Sequence, residues 1–141
     1  MSGQARETVT VVVEREFPHP PEKLWRALTQ PHLIEEWLMK NDFEPAVGHR
    51  FTLHADPQAN WSGVIDCEVM TVEPNRVLAY SWGALGAGTV VTLTLTPTGT
   101  GTHLRVEQSG FSPDRPQNFN GARFGWQKFL ANLEQLMART D

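Results

Sequence analysis

The sequence predicts an α+β domain: a curved antiparallel six-stranded sheet, two short helices, and a long C-terminal helix that encloses an apolar cavity with the sheet. Two patterns carry this reading. Apolar and polar residues alternate with period two in successive runs between residues 51 and 108, and turn residues separate the runs. Beyond residue 118 the apolar positions switch to helical spacing and keep it to Met137. A third observation, five tryptophans in 141 residues, suggests that something large and apolar is being lined.

The elements follow in order. Thr8 to Phe17 is β-branched and partly alternating, and reads as the first strand. Pro18, Pro20 and Pro21 end it and open a helix at Glu22, because proline suits a first helical turn. Leu24, Trp25, Ala27 and Leu28 carry that helix to about Thr29, and Pro31 starts a second one containing Leu33, Ile34, Trp37 and Leu38. Phe51 and Leu53 then alternate with Thr52 and His54. Gly63, Ile65, Cys67, Val69 and Thr71 alternate with Val64, Asp66, Glu68 and Met70. Glu73-Pro74-Asn75-Arg76 is a hairpin turn. Leu78, Tyr80 and Trp82 share one face of the next strand, and Gly83 to Gly88 is a glycine-rich turn. Val91, Leu93 and Leu95 form the following inward row. Past the turn at Thr98 to Gly101, Leu104, Val106 and Gln108 form the last one. This is an antiparallel meander with one buried and one wet face.

Residues 111–118 read as a loop. Phe119, Ala122, Arg123, Trp126, Phe129, Leu130, Leu133 and Met137 then recur on one side of a helix. A helix of about 20 residues spans ~30 Å, close to the ~33 Å reach of a ten-residue strand. It is the only large apolar cover the chain offers for the inner face of the sheet, so the two close on each other. The expected unit is one domain over residues 1–141, with its core at about 8–138.

Composition and motifs exclude several function classes. Charged residues make up 20% of the chain and the net charge is −4, with no basic stripe to track a phosphate backbone, so nucleic acid is not an expected partner. Met1 to Glu7 is polar and lacks the apolar core of a signal peptide. No apolar run approaches the ~20 residues of a membrane span. The lone Cys67 cannot form an internal disulfide and fits a reducing cytoplasm. No positive charge adjoins it to stabilise a thiolate. His19, His32, His49, His54 and His103 lack the spacing of metal ligands. The Gly83–Gly88 run joins antiparallel strands and does not open a helix, so it is no dinucleotide fingerprint. Asp66 and Glu68 share the wet face, where nothing raises a carboxyl pKa for acid–base work. No catalytic residue, metal or cofactor is expected.

Several segments taken together are similar to those of the START-like (SRPBCC) superfamily, whose fold is the helix grip. They are Glu14-Arg15-Glu16-Phe17 with Pro21 to Thr29, Pro31-His32-Leu33 with Glu36-Trp37, and Val47-Gly48-His49-Arg50-Phe51. Val72 to Leu78 with Tyr80 and Trp82, Val106 to Phe111, and Gly125-Trp126 complete the set. Within the superfamily the chain resembles the branch named after the activator of the heat-shock protein 90 ATPase, in its C-terminal domain. The resemblance implies binding of a small apolar or amphipathic molecule, such as a lipid, in the cavity under the last helix. Other members imply two alternatives: a cyclase or aromatase acting on a polyketide-like substrate, and a chaperone-associated, stress-response or other protein-interaction module. The expected assembly is a monomer or homodimer.

Inward parity and the helical stripe give the candidate lining as Trp37, Phe43, Phe51, Trp61, Cys67, Tyr80, Trp82, Gln108, Phe111, Arg123, Trp126 and Phe129. Large aromatics usually just pack, so each alone is as well explained by the core. Gln108 stands where an apolar residue would continue Leu104 and Val106, and a buried polar group needs a partner. Gln108, Tyr80 and Arg123 can orient a ligand's carboxylate or carbonyl. Alternatively Arg123 lies along the helix edge and Tyr80 reaches a backbone carbonyl.

Overall fold

A computed structural model describes residues 8–57, 61–84 and 87–140. The polar start at Met1–Glu7 and the tip of the glycine-rich turn at Leu85-Gly86 lie outside the described residues. The order of elements is β1 (Val9–Phe17), α1 (Pro21–Thr29), α2 (Pro31–Trp37), β2 (Lys40–Asn41), β3 (Arg50–His54), β4 (Val64–Glu73), β5 (Val77–Ala84), β6 (Ala87–Pro97), β7 (Thr102–Phe111) and α3 (Pro116–Arg139). The strands form one antiparallel sheet in the order β1-β7-β6-β5-β4-β3-β2. The expected helix-grip architecture is therefore present. The strand beyond the expected six is β2, which pairs Lys40 with His54 and Asn41 with Leu53. Two residues are too few to show an alternation in sequence.

Local sequence explains the helix pair. Pro21 and Pro31 each occupy a first helical position, where the missing N–H costs nothing. Gln30 precedes a proline and is extended, so α1 must stop there. Leu24, Ala27 and Leu28 form the buried face of α1. The Trp37 indole N–H donates to the Ala27 carbonyl at 2.8 Å and ties the end of α2 to α1. Lys23 Nζ on α1 donates to the carbonyls of Met137 (2.8 Å) and Thr140 (2.6 Å). It caps the C-terminus of α3 with a cation, as the helix dipole favours.

Two bulges bend the sheet and alter its parity. In β4 the register moves from Val69–Tyr80 to Thr71–Ala79, leaving Met70 as the extra residue. Sequence alternation places Thr71 on the face of Val69; the bulge instead turns Val72 onto the core, opposite Leu78. In β7, Ser109 and Gly110 together oppose the single residue Thr10 of β1. Gly110 has φ +102°, a conformation that L side chains rarely adopt. Residues 108 and 111, three apart, thereby reach the same inner face.

The solid part of the core lies under the C-terminal half of α3. Leu130, Leu133, Leu136 and Met137 are buried there with Leu53, Leu78, Leu93, Leu104 and Val106 of the sheet. The N-terminal half of α3 covers a hollow. Among the described residues no helix is long and apolar enough to cross a membrane.

Candidate functional site

A cavity of about 350 Å³ lies between the sheet and the N-terminal half of α3. Trp82 on β5, Gln108 and Phe111 on β7, and Trp126 and Phe129 on α3 form its walls, with Trp61 before β4. The Trp126 ring sits between two neighbours, Trp82 at 5.6 Å and Phe129 at 5.6 Å between centroids. Such tilted and edge contacts fix the rings in place. The Trp61 indole N–H donates to the Val64 carbonyl at 3.2 Å, so its polar end is satisfied and its ring is left to line.

The helix leaves room because two of its residues lack side chains. Gly121 and Gly125, four apart, both line the cavity, with Ala122 beside them. A Cβ built on Gly121 meets nothing within 4 Å, and one on Gly125 comes only to ordinary contact with Phe129, at 3.9 Å. Each interior glycine costs a helix about 1 kcal/mol relative to alanine. Here the cost accompanies an open space above an aromatic floor.

One polar chain crosses this apolar setting. The Trp126 indole N–H donates to Gln108 Oε1 at 2.7 Å. Gln108 Nε2 donates to Thr89 Oγ1 at 2.9 Å. The Thr89 hydroxyl donates to the Trp82 carbonyl at 3.0 Å. Trp126, Gln108 and Thr89 are all buried. Among the described residues lining the cavity none is ionisable.

The twelve residues expected from sequence therefore divide. Trp61, Trp82, Gln108, Phe111, Trp126 and Phe129 meet around the cavity. Phe43, Phe51 and Tyr80 pack edge to face in a separate cluster, with centroids 5.1 Å (Phe43–Phe51) and 5.2 Å (Phe51–Tyr80) apart. Burial pushes the Tyr80 phenol well above its usual range. Cys67 pairs with Phe51 across β3 and β4. Burial, with smaller contributions from Asp66 and Asp42, pushes its thiol up to about 12, which leaves it a thiol and a poor nucleophile at neutral pH. Trp37 belongs to the helix pair. Arg123 is exposed on α3 and does not reach the cavity wall, because one residue past Ala122 turns it about 100° around the helix, beyond the edge of the inward face.

Sequence reasoning missed Met39, Thr89, Gly121 and Gly125. Thr89 stands opposite Trp82 in the hairpin, a pairing that becomes visible only once the register is known. The two glycines did carry a signal, since four-residue spacing inside a helix places both on one face.

The family model for activator of Hsp90 ATPase homolog 1-like proteins matches residues 18–138. Protein MLL2253 from Mesorhizobium loti has a similar solved structure: TM-score 0.88 and 62% identity over 94% of this chain and 99% of that one. DynU16, a protein of the dynemicin biosynthetic locus, is 26% identical with TM-score 0.79 over 92% of this chain and 47% of its own, so this chain spans about half of it. CalU16 from Micromonospora echinospora shares the fold, with TM-score 0.75 and 24% identity over 96% of this chain and 88% of that one. No curated protein matches the sequence.

Proposed function

The chain belongs to the activator of Hsp90 ATPase homolog 1-like family, and we propose that it binds a small apolar molecule in the cavity beneath the N-terminal half of α3. The observation that carries this reading is the hollow itself. A volume of about 350 Å³, walled by aromatic rings and covered by a helix that carries glycine at 121 and 125, falls within the range of small-molecule sites. A chain under no demand to hold a ligand would gain stability by filling it.

A cyclase-type reaction is the alternative that the dynemicin-locus relative brings to mind. It requires groups that move protons at the substrate. The described lining offers three neutral amides, one hydroxyl and three indoles, none of them ionisable, and this favours binding without chemistry. A chaperone-linked or other interaction role would have to use a different surface, such as the exposed Phe124 on α3.

The Gly121→Leu variant tests the binding reading. The added side chain enters open space and improves helix propensity by up to about 1 kcal/mol. The variant is expected to melt no lower than wild type while losing at least about tenfold in affinity for naphthalene-sized ligands, measured by calorimetry. Unchanged affinity would place the ligand elsewhere.

A further inference from the structure

We infer that the cavity selects an uncharged ligand carrying a hydrogen-bond acceptor such as a ketone oxygen, that Gln108 is the residue reading that acceptor, and that carboxylates are rejected. The inference rests on the binding reading above and adds the ligand's chemical class.

The direction of each hydrogen bond in the polar chain is forced. An indole N–H can only donate, so the Gln108 atom facing Trp126 is the carbonyl oxygen. The amide nitrogen must then face Thr89. The Thr89 hydroxyl has one hydrogen, which goes to the Trp82 carbonyl, so Thr89 accepts from Gln108. Every donor in the run Trp126, Gln108, Thr89, Trp82 points the same way. The side chain of Gln108 cannot flip without setting two donors, or two acceptors, against each other.

The count at Gln108 then leaves a remainder. Its amide nitrogen carries two hydrogens, and the described residues accept one. Gln108 is only 3% exposed, so bulk water does not readily serve the other. An unused donor is rarer and costlier in a buried site than an under-used acceptor oxygen. A ligand that satisfies this hydrogen therefore carries an acceptor. It should not be an anion. The described wall holds no Lys, Arg or His to pair with one, and an unpaired buried charge is far more costly than a buried neutral oxygen. The volume holds about a dozen water-sized groups, the bulk of a two-ring aromatic with a small substituent.

Three probes of matched shape and equal non-hydrogen atom count separate these demands. They are 2-isopropenylnaphthalene with no oxygen, 2-acetylnaphthalene with a neutral acceptor, and 2-naphthoate with a charge. Calorimetry on the full chain at neutral pH is expected to show the ketone binding about fivefold tighter than the alkene, the size of one net hydrogen bond. The carboxylate should bind at least about tenfold weaker than either. In Gln108→Met the ketone's advantage over the alkene should vanish while alkene binding persists. If that variant does not fold, the wild-type ratios still decide. Equal binding of ketone and alkene, or a carboxylate as tight as the ketone, overturns the inference but leaves the cavity as a binding site. Failure of all three probes to bind removes the binding reading and this inference with it.

Discussion

At the scale of single residues, the inward parity of Gln108 is legible because a polar residue in an apolar row is visible in sequence, and the structure buries it. Its partners were not visible, since Trp126 lies on another element and Thr89 meets it only through the register of β6 and β7. Arg123 shows the opposite failure: it sits near the apolar stripe in sequence and faces solvent in the structure. A residue-level prediction arises on the outer face of the sheet. His103 lies between Glu14 (Nε2, 2.8 Å) and Glu16 (Nδ1, 2.8 Å), while Arg105, opposite Glu14 in the strand register, is ion-paired with Glu107 at 3.0 Å. Only the protonated ring donates from both nitrogens. The hydrogen bonds to Glu14 and then Glu16 accordingly raise its pKa above 6.5. A raised folded-state pKa gives stability that is full below the unfolded pKa and lost as pH rises through the folded one. His19 has the opposite sign: burial, then Lys23, lowers its pKa, so its contribution is lost as pH falls below 6.5. The two oppose each other in the wild-type curve. Subtracting a His103→Gln variant isolates the first. The difference in Tm should be largest below pH 6.5 and shrink as pH rises, and a pH-independent difference would refute the assignment.

At the scale of elements, the strands and helices were legible because each carries its own period. The bulges were not legible, because one extra residue leaves the alternation intact on both sides while reversing which side faces in. Thr71 was misplaced for this reason. Phe111 was expected inside although strict alternation from Gln108 would send it out; the Ser109–Gly110 bulge is what makes both inward. That bulge depends on Gly110, whose φ is +102° and whose added Cβ would stand 3.2 Å from the Gly88 carbonyl oxygen. Strain of this kind costs about 1–3 kcal/mol. Gly110→Ala should lower the unfolding free energy by that amount in urea titrations. It should also weaken ligand binding, because Phe111 can no longer hold its place in the wall. A variant as stable as wild type would show that the β7 backbone relaxes without strain.

At the scale of the whole molecule, the two ends of α3 are held very differently. Its fully buried residues all lie at or beyond Trp126. Its C-terminus is capped by Lys23, and Arg139 pairs with Glu36 at 3.1 Å. The N-terminal half has no side-chain cap, no acidic residue in its first turn, and glycine at 121 and 125 over the cavity. The sequence showed one uninterrupted helix there, since its apolar stripe runs through both halves. The difference depends on what lies beneath, which is packed side chains under one half and open space under the other. Few buried contacts mean a low local opening free energy. Amide hydrogen exchange should therefore find residues 117–125 at least about tenfold less protected than residues 130–137, a gap of about 1.4 kcal/mol in opening free energy. A saturating ligand fills the space under the first half and touches little of the second. Protection should rise across 117–125 with little change across 130–137, whose opening is already close to global unfolding. Equal protection of the two halves in the free protein would mean that the hollow does not weaken its cover. Ligand-induced protection confined to 130–137 would place the ligand under the wrong half of the helix.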